Sequence, residues 1–190
     1  MRRPHSLFLP ALFALALVAT ASLATASPTA AATIAATTTC SNGVDNTGGL
    51  GLICEVTIQN TITASGGSSE TTVRECHGAA GDPEASCNTT VQQLNEIVTQ
   101  VTQCNDSING GGGTLRCSVR VTNIWVGVNP SPTAATVNQC VGSGGGITTG
   151  CDPFPATTSG ARITQCNGSA NGGTLVGLTC KATGTDRSPS

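Results

Sequence analysis

Ten cysteines stand at positions 40, 54, 76, 87, 104, 117, 140, 151, 166 and 180. Taken as consecutive pairs, their separations alternate between long and short. The first members of the pairs also step by alternately long and short intervals. The interval from Cys40 to Cys104 equals that from Cys76 to Cys140, and Cys104 to Cys166 nearly matches both. Self-similarity at fixed spacing marks a repeat architecture, here units of about 30 residues doubled into superunits of about 64. Flanking residues repeat with the cysteines: Val73-Arg74-Glu75-Cys76, Val101-Thr102-Gln103-Cys104, Val137-Asn138-Gln139-Cys140 and Ile163-Thr164-Gln165-Cys166. The first unit departs, with Thr37-Thr38-Thr39-Cys40.

Each long unit reads as a β-hairpin. Asn-Gly and Gly-Gly steps, such as Asn109-Gly110, tolerate the positive φ of tight turns. After the second cysteine the residues alternate. Cys54, Val56, Ile58 and Ile62 fall on one face, with Glu55, Thr57 and Gln59 on the other. Cys117, Val119, Val121 and Trp125 repeat that phase. Two cysteines facing each other in one hairpin predict local disulfides: Cys40–Cys54, Cys76–Cys87, Cys104–Cys117, Cys140–Cys151 and Cys166–Cys180. Pairing between neighbouring units is the alternative. Closing loops of this length stabilises by about 3 kcal/mol each in the chain-entropy model. The expected fold is all-β, with tandem disulfide-stapled hairpins packed as a sandwich or a repeat array. The segment 89–101 also carries helical spacing at Val91, Leu94, Val98 and Val101, so a short helix competes there with a strand.

Composition fits a thin core held by cross-links. Charged residues are 9% of the chain, against about a quarter in an ordinary domain. Eight Arg and Lys cannot form a basic stripe, which excludes a nucleic-acid partner. Arg2 and Arg3 precede an apolar run from Leu7 to Val18, and Ala24-Thr25-Ala26 supplies a cleavage pattern. Residues 1–26 are read as a secretory signal peptide, with Ala30-Ala31-Ala32 as a second cleavage site. The run is shorter than the roughly 20 residues a membrane span needs, and the mature chain has no other. Residues 27–36 are then a disordered linker. Residues 37–184 form the β-repeat domain, with units starting near 37, 73, 101, 137 and 163. Residues 185–190 are a disordered tail. The expected location is secreted, extracellular or loosely held at the cell surface.

The recurring Gln-Cys-Asn-Gly-Ser element, fullest at Gln165 to Gly173, and the run Cys151-Asp152-Pro153-Phe154-Pro155 resemble a family of secreted, cysteine-paired proteins of actinobacteria. The likeness covers most of the chain after Cys40 and implies no particular activity.

Little in the sequence carries chemistry. His77 is the only histidine after the signal peptide and reads as an exposed loop residue. No Cys-x-x-Cys, Gly-x-Ser-x-Gly or His-Glu-x-x-His occurs, and the acidic residues are scattered. No catalytic residue, metal site or cofactor is expected, and the protein is not read as an enzyme. The leading expectation is a non-enzymatic structural or surface-adhesive protein whose partner could be an envelope component. Hairpin edges leave room for self-association. The alternative is a small binding or inhibitor protein that presents the loop Gly78–Ser86, with Asp82, Pro83 and Glu84, on a disulfide scaffold.

Overall fold

A computed structural model describes residues 34–37, 40, 51–79, 82–110, 113–144, 148–151, 160–172 and 177–188. The expected signal peptide, most of the expected linker and Asp152 to Ser159 lie outside the described residues. Ten strands and no helix occur among the described residues. All five disulfides join the expected partners.

The strands form two sheets. The first contains β1 (Ile34–Thr37), β5 (Val98–Gln103), β9 (Arg162–Gln165) and β7 (Thr136–Gln139), in that spatial order and all parallel. The second contains β4 (Asp82–Leu94), β3 (Gly66–Ala79), β2 (Gly51–Thr63), β6 (Thr114–Trp125), β10 (Gly177–Arg187) and β8 (Thr148–Cys151). Within it, β2, β6, β10 and β8 are parallel, whereas β2, β3 and β4 are antiparallel.

This topology corrects the expected building block. The two strands of a unit lie in different sheets, and each pairs with its equivalent in another unit. β2 pairs with β6 without a register shift, from Gly51↔Thr114 to Ile62↔Trp125. β6 pairs with β10 in the same manner, from Thr114↔Gly177 to Ile124↔Arg187. Four units are therefore coils of a parallel solenoid, each an arc from one sheet to the other. Only the unit of Cys76 and Cys87 is a hairpin, in which those cysteines face each other across β3 and β4. The coils do not stack in chain order. The fourth, β9–β10, lies between the second, β5–β6, and the third, β7–β8.

The choice left open at 89–101 falls to strand, and two further expectations change. The segment 89–101 is strand on both sides of a bend, because Thr89 to Leu94 pairs along β3 and Val98 to Gln103 pairs in the first sheet. Residues 34–36 of the expected linker belong to β1. Residues 185–187 of the expected tail extend β10, where Asp186 stands opposite Asn123.

The alternation read from sequence is confirmed in the core. Cys54, Val56, Ile58, Cys117, Val119, Val121, Leu115, Leu178 and Cys180 are buried from the second sheet. Val98, Val101 and Ile163 meet them from the first. Glu55, Thr57, Gln59, Arg116 and Arg120 are exposed on the outer face. Val56, Val119 and Ala182 form one row, and Ile58, Val121 and Gly184 the next. Cys54, Cys117, Cys180 and Cys151 are in register, so four disulfides stack as a column inside the solenoid. Cys76 stands opposite Ile53, not Cys54, and so the fifth disulfide lies on the outer face.

Access to these disulfides is graded. Cys87 is exposed, Cys140 and Cys151 are half-buried, and the other interior cysteines are buried. Thiol exchange needs the attacking thiolate to reach a sulfur. Mild reduction followed by alkylation and peptide mapping should open Cys76–Cys87 first and Cys140–Cys151 second. The pairs 40–54, 104–117 and 166–180 should open last and together. Early release of any of those three would contradict the interior column.

Candidate functional site

The recurring motif occupies the arcs, and each of its residues has a structural task. Gln103 Nε2 donates to Gln165 Oε1 (2.9 Å), and Gln165 Nε2 donates to Gln139 Oε1 (2.9 Å) and to the Lys181 carbonyl (3.1 Å). Gln103 and Gln165 are fully buried, so this amide ladder supplies partners that water cannot. The next residue is the stacked cystine. The asparagine after it satisfies the next coil's backbone: Asn105 Oδ1 accepts from Asn167 N–H (2.9 Å), and Asn167 Oδ1 accepts from Val141 N–H (2.8 Å). Ser169 Oγ accepts from Ser107 N–H (3.0 Å) and donates to the Cys104 carbonyl (2.6 Å). Ser143 Oγ accepts from Ser169 N–H (3.2 Å). Asn109 Oδ1 accepts from Asn171 N–H (2.8 Å).

The arcs turn by placing alternate residues in the left-handed region. Cys104, Asp106 and Ile108 have φ of 54, 52 and 53°, and Cys166, Gly168 and Ala170 have 58, 64 and 57°. Such conformations are costly for residues with a Cβ. Backbone bonds between arcs hold them: Asp106 N–H to Asn167 O (2.8 Å), Ala170 N–H to Ser107 O (2.9 Å), Gly168 N–H to Val141 O (2.9 Å) and Gly144 N–H to Ser169 O (2.9 Å). Gly142 and Gly144 serve the same arc differently. Gly142 has φ of 68° and open space where a Cβ would go, whereas a Cβ on Gly144 would overlap the carbonyl of Ala170.

A second set of residues gathers at the other end of the coils, where β2, β6 and β10 finish. Asn60 Nδ2 donates to the Val98 carbonyl (2.9 Å) and to Asn123 Oδ1 (2.9 Å), and Asn60 Oδ1 accepts from Val98 N–H (2.9 Å). Asn123 Nδ2 donates to Asp186 Oδ1 (2.9 Å), and the indole Nε1 of Trp125 points to the same oxygen at 3.4 Å. Beside this ladder opens a groove of about 400 Å³, lined by Trp125, Ile62, Ile97, Gln100, Thr133 and Arg162 among others. That volume suits a small ligand. An indole beside amide, hydroxyl and guanidinium groups offers a ring face to stack on and donors for a ligand's acceptor atoms. Sequence reading missed this groove. Trp125 read as a core residue in phase with Val121, and Arg162 precedes a motif whose period hides it.

The sequence-predicted binding residues are dispersed differently. Gly78 to Ser86 is mostly strand: Asp82 stands opposite Ala79 and Ser86 opposite His77, while Ala80 and Gly81 lie outside the described residues. Glu84 is exposed, and Arg74 bridges it and Glu55 at 3.2 and 3.1 Å. Arg74 Nη1 donates to the Glu55 carboxylate, and this hydrogen bond is the main cause of the raised Arg74 pKa. Exposed pairs of this kind contribute little stability. His77 is on β3, not in a loop, and its Nε2 is 2.9 Å from Glu75 Oε1. The Sγ atoms of Cys117, Cys166 and Cys180 cluster, but all are in disulfides and offer no thiolate to a metal.

Two sets of substitutions test the arcs. Gly144→Ala should lower stability by about 2–4 kcal/mol and Gly142→Ala by about 1 kcal/mol, read by thermal or denaturant unfolding. Gln165→Leu should cost about 2–4 kcal/mol, because it removes the acceptor of the buried Gln103 amide and puts no donor or acceptor in its place. Equal effects at Gly142 and Gly144, or a neutral Gln165→Leu, would contradict the ladder description.

A family model described as a domain of unknown function (DUF8253) matches residues 36–189, which takes in all four coils and the inserted hairpin. No curated protein and no solved structure matches the chain.

Proposed function

We propose, for a chain that belongs to the DUF8253 family, a secreted and non-enzymatic role as a structural or surface-adhesive module. The observation that carries this reading is the use made of the recurring motif. Its Gln, Cys, Asn and Ser side chains all bond one coil to the next or close a coil, so the most repeated groups build a rigid body and not a reaction centre. Repeat arrays spread their function over a surface. Five disulfides agree with an oxidising compartment, and no helix among the described residues is long and apolar enough to cross a membrane. The motif resemblance suggests an actinobacterial envelope as the surface.

The second reading, a small extracellular binding protein on a disulfide scaffold, is favoured by the groove at Trp125. Incubation of the oxidised protein with intact cells and purified wall, followed by washing, tests the leading reading. Retention on an envelope component is expected, and no retention on any fraction would count against it. If retention depends on the groove, Trp125→Ala should weaken it about tenfold, the loss of one stacking aromatic with its hydrophobic burial. Replacing Asp82-Pro83-Glu84 should leave retention unchanged in that case. The reverse pattern would return binding to the β3–β4 connection.

A further inference from the structure

Among the described residues, four strands end the two sheets: β1 and β7 in the first, β8 and β4 in the second. Three of these edges are four residues long. β4 has 13 residues. A short edge gives little template for pairing, whereas a long one offers a row of backbone N–H and C=O groups to another strand. Proteins usually blunt such an edge with charge, proline, a bulge or a covering element. β4 has Asp82, Pro83 and Glu84 at its start and then neither charge nor proline. From Ala85 to Asn95 the chain holds no Asp, Glu, Lys, Arg, Pro or Gly. Among the described residues nothing covers this stretch. Asn88, Thr89, Thr90, Val91, Gln92 and Gln93 are all exposed, although successive side chains point to opposite faces. Val91 is 56% exposed, the one large apolar side chain of the strand in that state.

We propose that β4 is a dimer interface, which pairs antiparallel with β4 of a second copy about a two-fold axis through Val91, normal to the sheet. This axis keeps the outer faces of both sheets on one side. It sets Val91 against its own copy, Thr89 against Gln93, Thr90 against Gln92, and Asn88 against Leu94. No two charged residues stand opposite each other in this register, so self-pairing meets no electrostatic penalty, and a charged partner strand finds nothing to complement. Thr, Val and Gln in cross-strand pairs suit such an extension. The six-stranded sheets of two copies then run on as one. Among the described residues each copy has one long edge, so the contact closes at two and leaves only four-residue edges open.

Analytical ultracentrifugation of the oxidised, secreted protein tests this. A concentration-dependent dimer is expected for the wild type. Val91→Lys places two lysines against each other at the axis and should weaken the dimer roughly tenfold or more. Val91→Thr should retain it. Disulfide mapping and unfolding curves check that Val91→Lys has folded, since β4 is an outer strand and its stability should barely change. Hydrogen exchange of residues 86–94 should slow on dimer formation in the wild type and not in Val91→Lys. A wild type that stays monomeric at about 100 μM overturns the proposal. So does a Val91→Lys dimer of unchanged affinity, or an open-ended series of larger species.

Discussion

A coil of this protein is a short strand of the first sheet that faces a strand of the second with little between them. Nothing in their own sequences would hold them at that distance. Val, Ile and Leu rows fill the space thinly, and the largest buried side chains are Ile58, Ile108, Leu115, Ile163 and Leu178. The cystine at the start of each arc sets the separation, and the next coil's cystine packs against it. The column is thus cross-link and core at once: its sulfurs are the apolar filling that the aromatic-poor sequence lacks.

The same constraint explains the composition. Once coils stack in register, identical residues meet their equivalents every coil. Charged side chains would then repel along the row, and large ones would crowd the arc. Gln, Asn, Ser and Thr are short, uncharged and able to donate and accept, so each satisfies its neighbour above and is satisfied from below. The strained Cys, Asp and Ile backbones of the arcs persist because those bonds fix them. The low charge of the chain is a property of stacking more than of its surface.

Much of this was written in the residues. The cysteine pairing, the interior phase of Cys54 to Ile58 and the period of the coils were legible because all are local or strictly periodic. The arc was not. A hairpin and an arc share alternating strands and Asn-Gly turns. They differ only in whether a strand's partner is its neighbour in the chain or its equivalent one superunit away. One signal did separate them. The residue before the cysteine is Gln in three units and Glu in the hairpin unit, and a carboxylate at Glu75 cannot donate as the buried amide ladder requires. The groove at Trp125 was hidden because its walls come from coil ends that only the stacking order brings together. The family match over residues 36–189 agrees with the expectation of an uncharacterised family and assigns no activity.

The spatial order of the coils has a bearing on how the chain can be made. The last coil, β9–β10, sits between the second and the third. A solenoid that stacks in chain order can grow from its first coil as the chain is made. Here the third coil precedes the surface it docks on, because its neighbour among the described residues, β9–β10, comes later in the chain. Completion waits for the C-terminal strand, which enters as a keystone between two preformed parts. Oxidation is subject to the same schedule: Cys140 and Cys151 must find each other while still unsupported, and the inner column closes only when Cys166 and Cys180 arrive. A chain cut short before Arg162 would therefore strand the third coil as well as lack the fourth.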